Sequence, residues 1–237
     1  NSTPMNMMTS TRFGTEMLCL YGDTFIQLLE RIYDLRITYP LLDIVLHAND
    51  VKSCFKQLKL HPDIMPAFSI IIADFLYLQS ALPFGTDFSP QNWEPVRRLI
   101  EVLAEKLFHD SLLILKHRKY LDKLQWEPSL GKSKAPFVPA ETCSQRTGVL
   151  DKDGNPVPTP QRLFVDDLVY AEVYKVDRVR IEQTIAAGIE AIFILLGHSD
   201  LSKRQDPVSF DKMEAILVLH LNNILGKLVD TRHLDVG

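Results

Sequence analysis

The chain has 237 residues, 46% hydrophobic and 24% charged, with a formal net charge of -4; this is enough apolar material for one sizeable globular domain or two small ones. No window approaches the roughly 18 apolar residues of a membrane span, and the N-terminus lacks a secretory signal pattern. Cys19, Cys54 and Cys143 are odd in number and widely spaced, which excludes a disulfide framework and zinc-ligand spacing, so an intracellular protein, cytoplasmic or nuclear, with no membrane partner is expected.

The chain starts at Asn1 rather than Met and stops at Gly237 just after a strand-like stretch, so it reads as a fragment or an excised domain. Asp23 can cap a helix carrying Phe25, Leu28, Leu29 and Ile32 on one face, at amphipathic spacing. That helix should end before Pro40, which disfavours helical geometry at Tyr39. Ile44 to Val51, Ala67 to Ala73 and Phe75 to Leu82 are short apolar runs of strand length that together suggest a sheet. Ser89-Pro90 reads as a helix start, a hydroxyl cap followed by proline at the first position, leading into Val96, Leu99, Ile100, Leu103 and Leu107. Leu112 to Leu124 adds a further helix, and a proline-rich stretch from about Gln125 to Gln161 argues against helix there, with an Asp153-Gly154 turn inside it. Another helix runs from an Asp177 cap through Ile181, Ile185, Ile189, Ile192 and Leu196 to a C-terminal Gly197.

Chemistry concentrates in three places. In Leu163-Phe164-Val165-Asp166-Asp167-Leu168-Val169-Tyr170, two adjacent acids interrupt an apolar, β-prone run. Neighbours in a strand point to opposite faces, so such a pair needs either a tight hairpin turn or a cation that offsets its repulsion. Asp50, at the end of Ile44 to Val51, is by itself explained as a solvated strand end. Between them lies Leu82-Pro83-Phe84-Gly85, three residues, then Ser89-Pro90, where the glycine lets backbone approach a ligand closely.

Taken in order, these motifs resemble those of reverse transcriptases, and the Leu-Pro-Phe-Gly and Phe-Val-Asp-Asp forms resemble the LTR-type retroelement enzymes. The resemblance implies an α+β fold: a reverse-transcriptase-like palm whose antiparallel sheet is backed by helices, with partial fingers. It divides the chain into a fingers/palm junction (1–49 and about 56–88), a palm helix (89–110), an insertion (about 111–161) longer than the family's usual connection, and further palm (162–237). It assigns Asp50, Asp166 and Asp167 as catalytic metal ligands for Mg²⁺ or Mn²⁺, with the Val51 backbone beside them. Phe55 becomes a steric gate beneath the incoming sugar, with Cys54 where the family places a small residue. Phe84, Gly85 and Lys203 become nucleotide contacts, and Leu225-Gly226 a primer grip. The implied partners are an RNA or DNA template with its primer, and a deoxynucleoside triphosphate.

The net charge of -4 stands against nucleic-acid binding, which needs Lys and Arg concentrated on some face; an acidic catalytic centre lowers the total without removing basic residues elsewhere. Lys116, Arg118 and Lys119 could contact nucleic acid from the insertion or simply form a solvated basic face. Three other readings stand beside the reverse transcriptase: an RNA-dependent RNA polymerase, whose usual Gly-Asp-Asp and middle motif this chain lacks; a degenerate or domesticated palm that only binds a partner or nucleic acid; and an unrelated α/β fold in which the motif matches are coincidental.

Overall fold

The computed structural model describes residues 21–38, 44–86, 88–123, 161–173, 178–197, 206–210, 214–218, 221–224 and 227–230. Helix and antiparallel sheet are mixed, an α+β arrangement. Helix α1 spans Tyr21–Thr38, strand β1 Ile44–Asp50 and a one-turn helix α2 Cys54–Gln57. A 3-10 segment over Pro62–Phe68 leads into strands β2 (Ile70–Ile72) and β3 (Phe75–Tyr77). Helices α3 (Phe88–Leu107), α4 (Leu112–Lys116) and α5 (Arg118–Leu121) follow, then strands β4 (Arg162–Phe164) and β5 (Asp167–Val173), helix α6 (Arg178–Leu196), and strands β6 (Glu214–Val218), β7 (Leu221–Ile224) and β8 (Lys227–Asp230).

The central sheet has the order β4-β5-β1-β6, antiparallel throughout. Its two faces are covered differently because strand side chains alternate. Val45, Val51, Leu163, Leu168 and Tyr170 face the main core, where Trp93, Ile100 and Ala104 of α3 meet Ile181, Ile185, Ile189 and Ile192 of α6. Burying an isoleucine fully contributes roughly 1.5–3 kcal/mol, so the α6 stripe holds the sheet to its helical layer. On the opposite face, Ile44, Leu46, Val169 and Ala171 are buried beneath α1, which packs on β4 and β5 and buries Leu28, Ile32 and Leu35.

Several sequence expectations are corrected here. Asp23 lies inside α1 rather than at its start. Among the described residues, the runs from Ala67 to Leu82 do not join the main sheet; Ala67 and Phe68 close the 3-10 segment, and β2 and β3 pair with each other through a turn with Ala73 and Asp74 at positive φ. A two-residue turn with both φ positive matches the strand twist. The hairpin is exposed, Ile71 at 73%, because apolar composition alone does not say which strands find a covering layer. Leu99 faces solvent at 46%, and Trp93 and Arg97 take the buried face of α3 instead.

The expected helix over 112–124 is two short helices broken at His117. His117 Nε2 lies 2.7 Å from Glu190 Oε2 on α6, Lys116 Nζ donates to Glu190 Oε1 at 2.6 Å, and Arg118 reaches Glu182 at 3.0 Å. The break lets three consecutive residues all reach α6, so Lys116 and Arg118 are tied to the protein's own acids, while Lys119 lies over the Tyr120 ring. The expectations for α6 hold for its stripe and its end: Ile181, Ile185, Ile189 and Ile192 are buried, and Gly197 at φ 88 ends it, its N–H donating to the Phe193 carbonyl at 2.9 Å. Asp177, the stretch 125–160, Lys203, Leu225 and Gly226 lie outside the described residues. The strands flanking 225–226 do pair as a hairpin, Ile224 opposite Lys227. Among the described residues no helix is long and apolar enough to cross a membrane.

Candidate active site

The central strands bring the acids together at one end of the sheet. In the β1–β5 register Asp50 stands opposite Asp167, and directly opposed residues of an antiparallel pair project to the same face. Asp166 occupies the two-residue turn between β4 and β5, with Phe164 opposite Asp167. The turn therefore consists of Val165 and Asp166, one residue earlier than an Asp166-Asp167 turn, and Asp167 is the first strand residue. Backbone bonds fix this end: the Val51 N–H donates to the Asp166 carbonyl at 2.7 Å, and the Ser209 N–H to the Asp50 carbonyl at 2.8 Å. Val51 also bridges to Val208.

Cys54 registers the shared field of these acids. Its buried thiol is pushed up to about 12, first by burial and then by the charges of Asp166, Asp50 and Asp167. A single side chain thus senses all three carboxylates. Among the described residues, no group of three or more His, Cys, Asp or Glu is placed to hold a metal ion. Mg²⁺ characteristically takes one or two carboxylates together with substrate phosphates rather than a complete protein cage; the hard oxygen donors of the opposed pair Asp50 and Asp167, with Asp166 on the adjoining turn, fit that chemistry.

Two aromatic residues flank this end. Phe55, on α2, is buried at 4%, whereas Phe84 is exposed at 71%; their rings meet edge-on with centroids 5.2 Å apart. Ser53, in the left-handed region at φ 51, redirects the chain from the bridge at Val51 into α2 and so brings Phe55 under the turn that carries Phe84. Gly85 adopts φ 79 with open space where a Cβ would stand, so it is the backbone conformation that favours glycine here, not crowding.

Ser89 is the second residue of α3 rather than its cap. Its hydroxyl donates to the Pro83 carbonyl at 2.7 Å and lies 2.7 Å from Thr86 Oγ1. The Ser-Pro pair thus ties the Leu-Pro-Phe-Gly turn to the helix.

Sequence reasoning missed a group of α3 side chains that grip the acidic hairpin from beneath. Trp93 Nε1 donates to the Val165 carbonyl at 2.5 Å. Leu163 on β4, an edge strand of the described sheet, donates its N–H to Glu101 Oε1 at 2.7 Å and accepts from Arg97 at 3.1 Å. Arg97 is itself held by both oxygens of Glu94 at 2.8 Å and by Glu101 at 2.6 Å. Burial works against the Glu94 carboxylate, but hydrogen bonds from Arg97 and Arg98 hold it below the usual range; burial pushes Glu101 up, against the Leu163 amide and Arg97. The only signal in the sequence was charge at helical spacing in Glu94, Arg97, Arg98 and Glu101, which ordinarily marks a solvated face.

Comparison with protein-family models, with curated proteins and with solved structures finds no match.

Proposed function

We propose that this chain is the fingers-and-palm portion of a retroelement reverse transcriptase, an RNA-directed DNA polymerase that extends a primer with deoxynucleoside triphosphates on an RNA or DNA template. The observation that carries the reading is the register pairing of Asp50 with Asp167, beside the Val165-Asp166 turn. Acids from two distant motifs thus come to one sheet end, Asp50 opposite Asp167 with Asp166 on the adjoining turn, near the contact between Phe55 and Phe84. That all of these belong to the resembling motifs supports the assignment beyond what an isolated acidic turn would carry.

Asp50, Asp166 and Asp167 would hold Mg²⁺, or Mn²⁺ in its place, with the Val51 backbone adjoining; bound there, the metal would stabilise charge developing on phosphate oxygens and lower the pKa of the attacking primer hydroxyl. The chain's own residues supply position. The strand pairing fixes the spacing of the two opposed carboxylates before substrate arrives, which reduces reorganisation during reaction. Phe55, packed in the core, presents a rigid ring as the steric gate, while Phe84 offers an exposed aromatic surface to a base or sugar.

A second reading, a palm that binds nucleic acid or protein without catalysis, draws on the finding that no three-member ligand group is assembled among the described residues. Mg²⁺-dependent extension of a DNA primer on an RNA template, with Asp166→Asn alongside, separates the two. Extension lost in the variant supports polymerisation. A folded chain that does not extend the primer, whether alone or with longer flanking sequence, leaves the binding module.

A further inference from the structure

The two residues of the acidic turn are held by different parts of the molecule. Val165 adopts φ 56, a genuine outlier for a β-branched side chain. Such a conformation persists only where its surroundings over-determine it. The Asp166 carbonyl is fixed within the sheet by Val51. The Val165 carbonyl is instead fixed from the helical layer by the indole N–H of Trp93, a side chain with no solvent exposure. Indole is a donor only, so this contact has one polarity and no alternative protonation state.

We propose that Trp93 is a positioning residue for the catalytic carboxylates, acting through its single bond to the Val165 carbonyl to hold the left-handed turn that orients Asp166 and Asp167 toward Asp50. The proposal rests on the polymerase reading. Arg97 and Glu101 secure Leu163 two residues earlier, so β4 stays in place when Trp93 is altered and the change is confined to the turn. Without the indole donor, the part-buried Val165 carbonyl gains by rotating toward another partner, and the peptide it shares with Asp166 rotates with it. Trp93 touches neither nucleotide nor primer in this scheme. Its loss therefore acts on metal affinity and on kcat, not on the KM for nucleotide.

The test uses the full chain with Trp93→Phe and, as a closer isostere lacking only the N–H, Trp93→3-benzothienylalanine. Mn²⁺ binding is titrated directly, and primer extension is followed across a Mg²⁺ series. Ile100→Val, a core change in the same helix, reports general loosening. The expected result is about a tenfold weaker Mn²⁺ affinity and a matching rise in the Mg²⁺ needed for half-maximal rate, the scale usual for losing a contact that orients a ligand. The KM for nucleotide stays within about twofold in both Trp93 variants, and Ile100→Val keeps the wild-type metal dependence. Wild-type metal dependence in the benzothienyl variant overturns the positioning role while leaving the polymerase reading intact. Equal weakening in Ile100→Val overturns it as well. If the unaltered chain neither binds Mn²⁺ nor extends a primer, the polymerase reading falls and this proposal falls with it.

Discussion

Asp50 and Asp167 stand directly opposite each other on adjacent antiparallel strands, although they lie far apart in the chain. Like charges in that relationship destabilise a sheet by several tenths of a kcal/mol or more. Asp50→Asn is therefore expected to stabilise the fold by ~0.5 kcal/mol while abolishing primer extension. Paired denaturant titrations and extension assays check both signs. Mg²⁺ should raise the Tm of the wild type and leave that of the variant unchanged, because a ligand stabilises only a state that binds it.

Phe55 and Phe84 touch, yet their substitutions should separate cleanly. Phe84 is largely exposed, so Phe84→Ala is expected to change stability by less than about 0.5 kcal/mol and to raise the KM for nucleotide. Phe55 is part of the core, so Phe55→Val should cost about 1–3 kcal/mol and, as a smaller gate, increase incorporation of ribonucleotides relative to deoxynucleotides. Competition between the two nucleotide types on one primer is the measurement.

Glu190 links the α4–α5 segment to α6. Burial opposes its ionisation, but hydrogen bonds from Lys116 and His117 hold the carboxyl below the usual glutamate range. A carboxyl lowered on folding contributes stability that is present above its unfolded pKa and lost as pH falls through the folded value. Part of the acid limb of the wild-type stability curve, from the ordinary glutamate range downward, is thus expected to disappear in Glu190→Gln. The variant should also be less stable at neutral pH, by about 1–3 kcal/mol. Denaturant midpoints over an acid pH series decide it.

Gly188 sits where α6 crosses the sheet. A Cβ there would stand 2.5 Å from Gln161 Oε1 and 2.7 Å from Leu168 Cδ2, and Gln161 is held by its bond to the Thr184 carbonyl at 2.8 Å. Alanine would favour the isolated helix by about 1 kcal/mol, but the clash is expected to win, with a net loss of about 1–2 kcal/mol. Thermal unfolding of Gly188→Ala gives the sign.

The sequence by itself determined the elements whose local signals agree. α6 combines an isoleucine stripe at helical spacing with a glycine stop, and both hold because side-chain period and cap chemistry are properties of the segment alone. The strand ending at Asp50, and a hairpin in the Phe-Val-Asp-Asp run, were legible for the same reason. So was the coarse α+β class, because stripes at helical spacing and short apolar runs of strand length both stand in the chain.

Only the tertiary structure decided which residues meet. The pairing of Asp50 with Asp167 depends on strand register across a long separation, and register is set by which face finds a helical layer. The same dependence left the β2–β3 hairpin exposed despite its apolar sequence and placed Ser89 within α3, bonded back to Pro83. It also turned Trp93, Arg97 and Glu101 from helix residues into a clamp on the acidic turn. Their partners are backbone groups of β4 and the turn, and a backbone carbonyl has no letter in the sequence.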